Sequence, residues 1–356
     1  WKSLYESKSG ERGVFSRYGA RAQAKKTERR DPDHAFGTNP CSEIILRNRE
    51  FCNLSEVVVR EQDTLASLKQ KVRLATILGT FQSTLTTFKY ISKEWAKNCK
   101  EERLLGVSLT GIMDSVMTNG TEPGLEKRLE TLRKVAVATN EEFAAELKIP
   151  QSASVTCVKP SGTVSNLVDS ASGIHARHAE YYVRTVRADK QDPLAQFMIE
   201  AGFYAESDVT RPENTWVFYF PQRAPKGAVT RNERTAIQQL EFWRLYQNHW
   251  CEHKPSATIY VQEEEWLDVG AWIYRHFDTV SGLAFLPNLE HIYKQAPYID
   301  CTKDEYEEWV NKVPAKVDWT KLAVYETLDT TTGSQELACV AGACDLVDIP
   351  SRGSAK

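Results

Sequence analysis

Two thiols frame the stretch of this sequence that holds the most chemistry. Cys41 lies in Gly37-Thr38-Asn39-Pro40-Cys41-Ser42-Glu43-Ile44-Ile45-Leu46, with Asn39 two residues before it and Glu43 two residues after. In an extended segment, side chains two apart project from the same face. Amide, thiol and carboxylate then stand together: a sulfur redox centre, a general acid/base, and an amide able to hold a hydroxyl or a carbonyl. Cys52, in Phe51-Cys52-Asn53-Leu54, is a second thiol that a hairpin or loop can return to within disulfide reach. The same spacing equally suits two small fillers of a β-rich core, because free cysteines are commonly buried. On these residues alone both readings stand.

Three further groups carry possible chemistry. Ser154-Val155-Thr156-Cys157-Val158 is a β-prone run leading into Lys159-Pro160-Ser161-Gly162-Thr163-Val164-Ser165-Asn166-Leu167. Strand, small-residue loop and helix start make an anion cradle: Gly162 admits the backbone closely, and hydroxyls donate from Ser161, Thr163 and Ser165. A plain N-cap and turn has the same composition, and the Gly-Lys-Ser/Thr ending of a Walker loop is absent. Near the end, Ala338-Cys339-Val340-Ala341-Gly342-Ala343-Cys344 sets two thiols five positions apart across small residues, free to close into a disulfide. Such a dithiol suits electron transfer from an external reductant to a buried pair; zinc would need two more ligands. His249-Trp250-Cys251-Glu252-His253 has metal-like spacing without visible third and fourth ligands, so a core or supporting role is the better reading and no metal site is expected.

Asn-Pro-Cys-x-Glu-Ile followed by Cys-Asn-Leu resembles the finger loop of ribonucleotide reductases. The resemblance implies that Cys41 becomes a thiyl radical, that Glu43 and Asn39 flank it, and that Cys52 is half of a pair oxidised as substrate is reduced. Ser42 stands where relatives often have Gly; on the extended reading it points away from the chemistry. Pro160-Ser161-Gly162-Thr163-Val164-Ser165, with Ser172-Gly173-Ile174-His175-Ala176-Arg177 and Tyr181-Tyr182-Val183-Arg184 after it, resembles that family's substrate-phosphate loop. Leu105–Gly111 resembles another stretch of the family, without evident chemistry. Cys339 and Cys344 match its C-terminal electron-relay arm, with a thioredoxin-like protein as reductant.

Members that draw their radical from a metal subunit resemble one another in a tandem Tyr before the tail. Here Tyr181-Tyr182 follows the phosphate loop and none precedes Cys339. A glycyl-radical ending is also lacking, and His-Trp-Cys-Glu-His-Lys-Pro-Ser looks most like the adenosylcobalamin-dependent class. The resemblance therefore implies adenosylcobalamin as cofactor and ribonucleotides, preferably triphosphates, as substrates. The alternatives are a diphosphate reductase served by a metal subunit, or a non-catalytic fragment that assembles with a missing half. The family folds as a ten-stranded α/β barrel of two five-stranded halves with the finger loop at its centre. This chain would hold the finger loop and the second half, residues 1–328, and a flexible redox tail, residues 329–356. The N-terminal half, with the partner of Cys52 and the specificity site, would come from elsewhere.

The elements that must position these groups follow from pattern. Residues 37–60 read as strand, loop and strand. Helical spacing runs from an N-cap at Asp63 through Leu65, Leu68, Val72, Leu78, Phe81, Leu85 and Phe88, with a possible break at Gly79, and again from Leu125 to Leu147 before Pro150. Helices near 192–200, 235–249 and 263–277 alternate with strands at 215–220 and 256–261, and Thr302-x-x-Glu305 is a capping box. Strands alternating with helices indicate an α/β architecture. Residues 1–36 are polar and basic, and Arg29 and Arg30 read as part of a solvated face.

The chain of 356 residues, 41% apolar, 26% charged and of net charge −3, has the balance of a soluble globular protein with a large core. No basic excess points to nucleic acid, and no apolar run is long enough for a membrane span. Eight cysteines are too few for a disulfide scaffold and suit dedicated redox thiols in a reducing compartment, the cytoplasm.

Overall fold

A computed structural model describes residues 1–7, 13–288 and 294–326. The chain divides into two compact units: residues 1–177 with 225–288, and residues 178–224 with those from 289 onward.

The first unit is built on five parallel strands in sequential order. Asn53–Val58 pairs with Leu105–Thr110, which pairs with Thr156–Cys157. The third strand reaches the fourth, Thr258–Val261, through a bridge between Val158 and Pro255, where Val158 N–H donates to Lys254 O (3.0 Å) and Ser256 N–H to Val158 O (2.8 Å). The fourth pairs with the fifth, Leu283–Pro287, whose other edge takes Gly13–Val14 antiparallel. Helices bridge successive strands, as parallel pairing requires: Leu65–Gln82 and Lys93–Glu102, then Leu125–Leu147, Ala236–His249 and Trp266–Arg275.

All six residues of Leu105–Thr110 are buried, as expected of a strand covered on both faces. Trp243, Trp250 and Trp266 fill the core beside Tyr246. The polar ends of three of these rings are satisfied: Trp243 Nε1 donates to Pro255 O, Trp250 Nε1 to Cys157 O, and the Tyr246 hydroxyl to Thr118 O.

The helix expected from Asp63 begins at Leu65 with Thr64 as N-cap, and it runs unbroken through Gly79 to Gln82. Asp63 instead accepts from the Ser67 hydroxyl and Lys71 Nζ, supporting the cap from one residue outside it. Gly79 lies over Leu105, and a Cβ there would meet that side chain at 3.4 Å, an ordinary contact.

The second unit is a four-stranded antiparallel sheet in the order 298–300, 181–189, 215–223, 205–207. Helices Pro193–Glu200 and Lys303–Asn311 accompany it, the latter opened by the Thr302–Glu305 capping box. Trp309 stacks on Tyr219 with ring centres 5.0 Å apart. No helix among the described residues is long and apolar enough to cross a membrane.

Candidate active site

The finger segment is a short hairpin rather than an extended run. Gly37–Thr38 pairs antiparallel with Ile45–Leu46, and Pro40-Cys41 form the turn between them, closed by Ser42 N–H donating to Asn39 O (2.9 Å). The alternation expected of Asn39, Cys41 and Glu43 therefore fails, because a turn rotates each residue differently. Ser42 adopts φ +63°, the left-handed region in which glycine costs least, which accounts physically for a Gly at this place in the resembling family. Asn39 Oδ1 accepts Ile44 N–H (3.0 Å), so half of its amide is spent on closing the loop. The Thr38 hydroxyl donates to Ile44 O (2.9 Å) and tightens the same turn.

Cys41 stands exposed at the tip and Glu43 is fully buried beneath it. Partial burial and the Glu43 carboxylate push the Cys41 thiol above its ordinary value, while the Lys159 ammonium works in the opposite direction. Glu43 Oε1 accepts from Lys159 Nζ at 2.9 Å, and Oε2 is buried without a hydrogen bond among the described residues. Cys52, half-buried just before the first parallel strand, is pushed well above the ordinary thiol range by burial and then by Glu43. Both thiols are free.

The hairpin is held from the segment that leads into the fourth strand. His253 Nδ1 accepts Ile45 N–H (3.3 Å) and its Nε2 donates to Leu105 O (3.0 Å). Burial, and then Arg30, keep this imidazole well below its usual pKa, so it is neutral and its two nitrogens keep these roles. Lys254 N–H donates to Glu43 O (3.1 Å). Its ammonium is fully buried, donates to Ser281 O and to the Thr38 hydroxyl (3.4 Å), and lies 4.7 Å from the centre of the Phe15 ring. Burial brings it down to about 7 although the Glu43 charge opposes the shift. Gly282 is needed beside it, since a Cβ there would meet Lys254 Nζ and Ser42 Cβ at 2.9 Å each. Of the two histidines at the His249–His253 spacing, His253 supports the hairpin and His249 Nδ1 meets Glu130 Oε1 (2.9 Å).

The loop at 159–165 leaves the third strand beside this hairpin. Lys159 N–H donates to the Ser108 hydroxyl (2.8 Å), which places a polar side chain of the buried second strand under the loop. Ser161 and Gly162 N–H both reach Ser172 Oγ, at 2.9 and 3.3 Å. Gly162 has φ +55° with open space where a Cβ would be, and the following helix, Thr163–Leu167, is short. Of the three hydroxyls expected to face an anion, Ser165 Oγ turns inward and donates to Gly162 O (2.6 Å). Ser161 Oγ is buried without a partner, and Thr163 and Val164 are exposed. Pro160 makes the bend. The cradle is thus present in backbone form, with fewer hydroxyls turned outward than the sequence suggests.

Arg29 and Arg30 depart from the expected solvated face. Arg29 Nη2 forks onto Glu252 (2.7 and 2.6 Å), and Arg30 is buried on Glu102 (2.7 Å) with Glu50 3.5 Å away. The Arg30 guanidinium is compensated by two carboxylates inside the protein, although its Nη1 has no hydrogen-bond partner among the described residues, and a basic composition does not reveal such burial. Burial, then Glu102, raises Glu50 to about 8.

Sequence reading named no individual task for Lys159, Lys254, Ser108 or Ser172, and gave His253 a core or supporting role. One signal was available: Lys-Pro-Ser occurs twice, at 159–161 and 254–256, and the two copies flank Glu43 from neighbouring strands. Cys339 and Cys344 lie outside the described residues.

No family model matches the chain. It is 29% identical over 307 residues to an adenosylcobalamin-dependent ribonucleoside-triphosphate reductase of Euglena gracilis, which covers 85% of this chain and 41% of that protein. Proteins of the same name from Lactobacillus acidophilus and Lactobacillus leichmannii are 28% and 27% identical, over 78% and 87% of this chain. The likeness is to the adenosylcobalamin-dependent ribonucleotide reductases. The chain spans less than half the length of these curated relatives, 40–45% of each. In structure it matches a B12-dependent (class II) ribonucleotide reductase with a TM-score of 0.69 at 23% identity, covering 83% of this chain and 44% of that one. An Actinobacillus ureae class Id reductase alpha subunit matches with a TM-score of 0.52 at 14% identity, over 81% of this chain and 60% of that one. The fold is therefore that of part of a ribonucleotide reductase, and the five parallel strands agree with one half of the barrel inferred from the motifs.

Proposed function

We propose that this chain is the finger-loop and second-half portion of a ribonucleotide reductase that converts ribonucleoside triphosphates to 2′-deoxyribonucleotides by thiyl-radical chemistry. The observation that carries the reading is the exposed Cys41 at the hairpin tip above the buried Glu43–Lys159 pair, in a chain whose relatives bear that enzyme's name. Cys41 carries the radical, Glu43 exchanges a proton with the substrate, and the amide of Asn39 orients a hydroxyl. Residues 160–165 take the substrate phosphate through the exposed turn at Gly162 and Thr163. Cys52 and a thiol of the remaining segment supply two electrons by forming a disulfide, which Cys339 and Cys344 reduce again with electrons from a thioredoxin-like protein in the cytoplasm.

An exposed Cys41 suits a cofactor delivered from outside this chain's core. Adenosylcobalamin, when bound, supplies the radical that Cys41 receives. A thiol pushed above its ordinary value stays as S–H at neutral pH, the form from which a hydrogen atom can be taken. Glu43, buried next to a cation, is placed to accept from a substrate hydroxyl through its unpaired Oε2.

The test joins this chain to the remaining segment and supplies adenosylcobalamin, a dithiol and a ribonucleoside triphosphate, with no second metal protein. Deoxynucleotide should form, and Cys41→Ser should abolish it, because a hydroxyl does not replace the thiol as radical carrier. Undiminished turnover by Cys41→Ser would remove the radical assignment. Activity only with an added metal subunit would favour the diphosphate type.

A further inference from the structure

The phosphate loop and the finger hairpin are joined by one side chain. Lys159 opens the loop, and its backbone is held on two sides: its N–H donates to Ser108 Oγ (2.8 Å), and its carbonyl lies under Gly173, where a Cβ would come within 2.5 Å of it. From that fixed base its ammonium, one-third exposed, reaches Glu43 Oε1 at 2.9 Å. Glu43 makes no other described ion pair, and its second oxygen is buried with no partner. An isolated carboxylate in such a site is costly, and an adjoining cation compensates it.

We propose that Lys159 is a positioning residue for Glu43, holding Oε1 so that Oε2 is the oxygen presented to substrate, and tying that carboxylate to the loop that takes the phosphate. This rests on the reductase reading for the word substrate; the ion pair and its effect on Cys41 do not. The alternative role for a lysine at this place is direct phosphate binding, with Glu43 held by other means. Geometry favours the first, because the ammonium is already committed to the carboxylate at hydrogen-bond distance.

The charged groups facing Glu43 set what the substitution should do. Lys159 is in contact with it. Lys254 donates its backbone N–H to Glu43 O (3.1 Å) from just before the fourth strand, its ammonium acts on the carboxylate without a described ion pair, and the thiols of Cys41, Cys52 and Cys157 all feel the carboxylate. Lys159 itself is desolvated, yet its bond to Glu43 outweighs that and raises it above an ordinary lysine, so it is charged throughout the neutral range. Removing it leaves the Glu43 carboxylate without its described ion pair, and Cys41 should lose a neighbour that favours its thiolate.

Both effects are readable on the chain without nucleotide or cofactor. Carboxyl-labelled glutamate, with the Glu43 signal assigned by its loss in Glu43→Gln, reports by its NMR chemical shift at fixed pH whether the carboxylate keeps its contact with the ammonium. Iodoacetamide labelling resolved by peptide mass gives the Cys41 rate against pH. Lys159→Met should displace the Glu43 carboxyl signal and slow Cys41 labelling several-fold at pH 8, Lys159→Arg should restore both, and Glu43→Gln should speed labelling. If Lys159→Met is poorly folded, Lys159→Gln and Lys159→Arg carry the comparison. A Glu43 carboxyl signal and a Cys41 profile unchanged in folded Lys159→Met or Lys159→Gln would overturn the proposal and leave the lysine to the phosphate. Absence of reductase activity in the joined enzyme would instead remove the reductase reading while these measurements stood.

Discussion

At the scale of single residues, the site separates an exposed thiol from a buried carboxylate within one short turn. On the proposed reading the two have distinct tasks: the exposed Cys41 meets what comes from outside, and the buried Glu43 works where water is excluded and its charge matters most. Glu43→Gln keeps the size and one acceptor but cannot exchange a proton. In the joined enzyme it should lower turnover about 10²–10⁴-fold, the usual share of a general acid/base, with the fold intact by circular dichroism. A full-rate variant with an unaltered pH–rate profile would show that Glu43 is not the proton-transfer group.

At the scale of elements, the loop after the third strand is positioned by the close approach of two backbone segments. Gly173 has φ +55°, and a Cβ there would stand 2.5 Å from Lys159 O and 3.5 Å from Pro160 Cα. Backbone does not yield as a side-chain end does, so Gly173→Ala must both strain its own left-handed conformation and displace Lys159. The expected loss is about 2 kcal/mol or more in urea unfolding, since the left-handed conformation alone costs an L-residue roughly 1–2 kcal/mol. Cys41 labelling should change in the same direction as in Lys159→Met. A variant with wild-type stability would mean that the 159–160 segment moves freely. By contrast, Cβ on Gly162 meets nothing within 4 Å, so Gly162→Ala should be penalised only by its backbone conformation.

At the scale of the whole molecule, buried charges make stability depend on pH. Lys254 titrates at about 7 in the fold, well below an ordinary lysine, chiefly through burial. Between that value and about 10.5, the unfolded chain holds a proton that the folded chain has released, so this group makes stability rise with pH. Its penalty is complete below 7 and fades above it. Glu50, raised to about 8, acts in the opposite sense, since the folded chain keeps a proton between about 4.5 and 8 that the unfolded chain has lost. The two are separated by substitution: relative to Lys254→Met, the wild type should gain about 1.5 kcal/mol between pH 7 and 8.5, measured by urea titration at each pH. Parallel pH curves for the two proteins would place the Lys254 amine in an environment far more polar than its burial indicates.

The proposed relay also belongs to this scale, because it joins distant segments. In the joined enzyme, the Cys339→Ser/Cys344→Ser double variant should fail with a thioredoxin-like protein yet retain turnover with a small dithiol, which can diffuse to Cys52 and its partner. Cys52→Ser should sustain turnover with neither. Equal loss with both reductants in the tail variant would make those thiols structural.

Local composition and spacing were enough to reveal the α/β alternation, the helix at 125–147, the Thr302–Glu305 cap and the two motifs that point to a reductase. These depend on periodicity, caps and short strings of residue types, all of which act over a few positions. The turn at Pro40-Cys41, the burial of Arg30 and the inward rotation of Ser165 were not legible. Each depends on what lies across from it: His253 and Lys254 against the hairpin, Glu102 and Glu50 around the guanidinium, Gly162 O above the hydroxyl. The same holds for Lys159, an unremarkable residue of a small-residue loop by sequence. Its partner Glu43 lies 116 positions away along the chain, and parallel pairing of the third and fourth strands brings both Lys-Pro-Ser segments to that carboxylate. Residue types could name the chemistry of the thiol and the acid. Which cation meets the acid, and on which oxygen, was decided by long-range strand order, because a buried charge takes whatever compensating group the packed fold brings within reach.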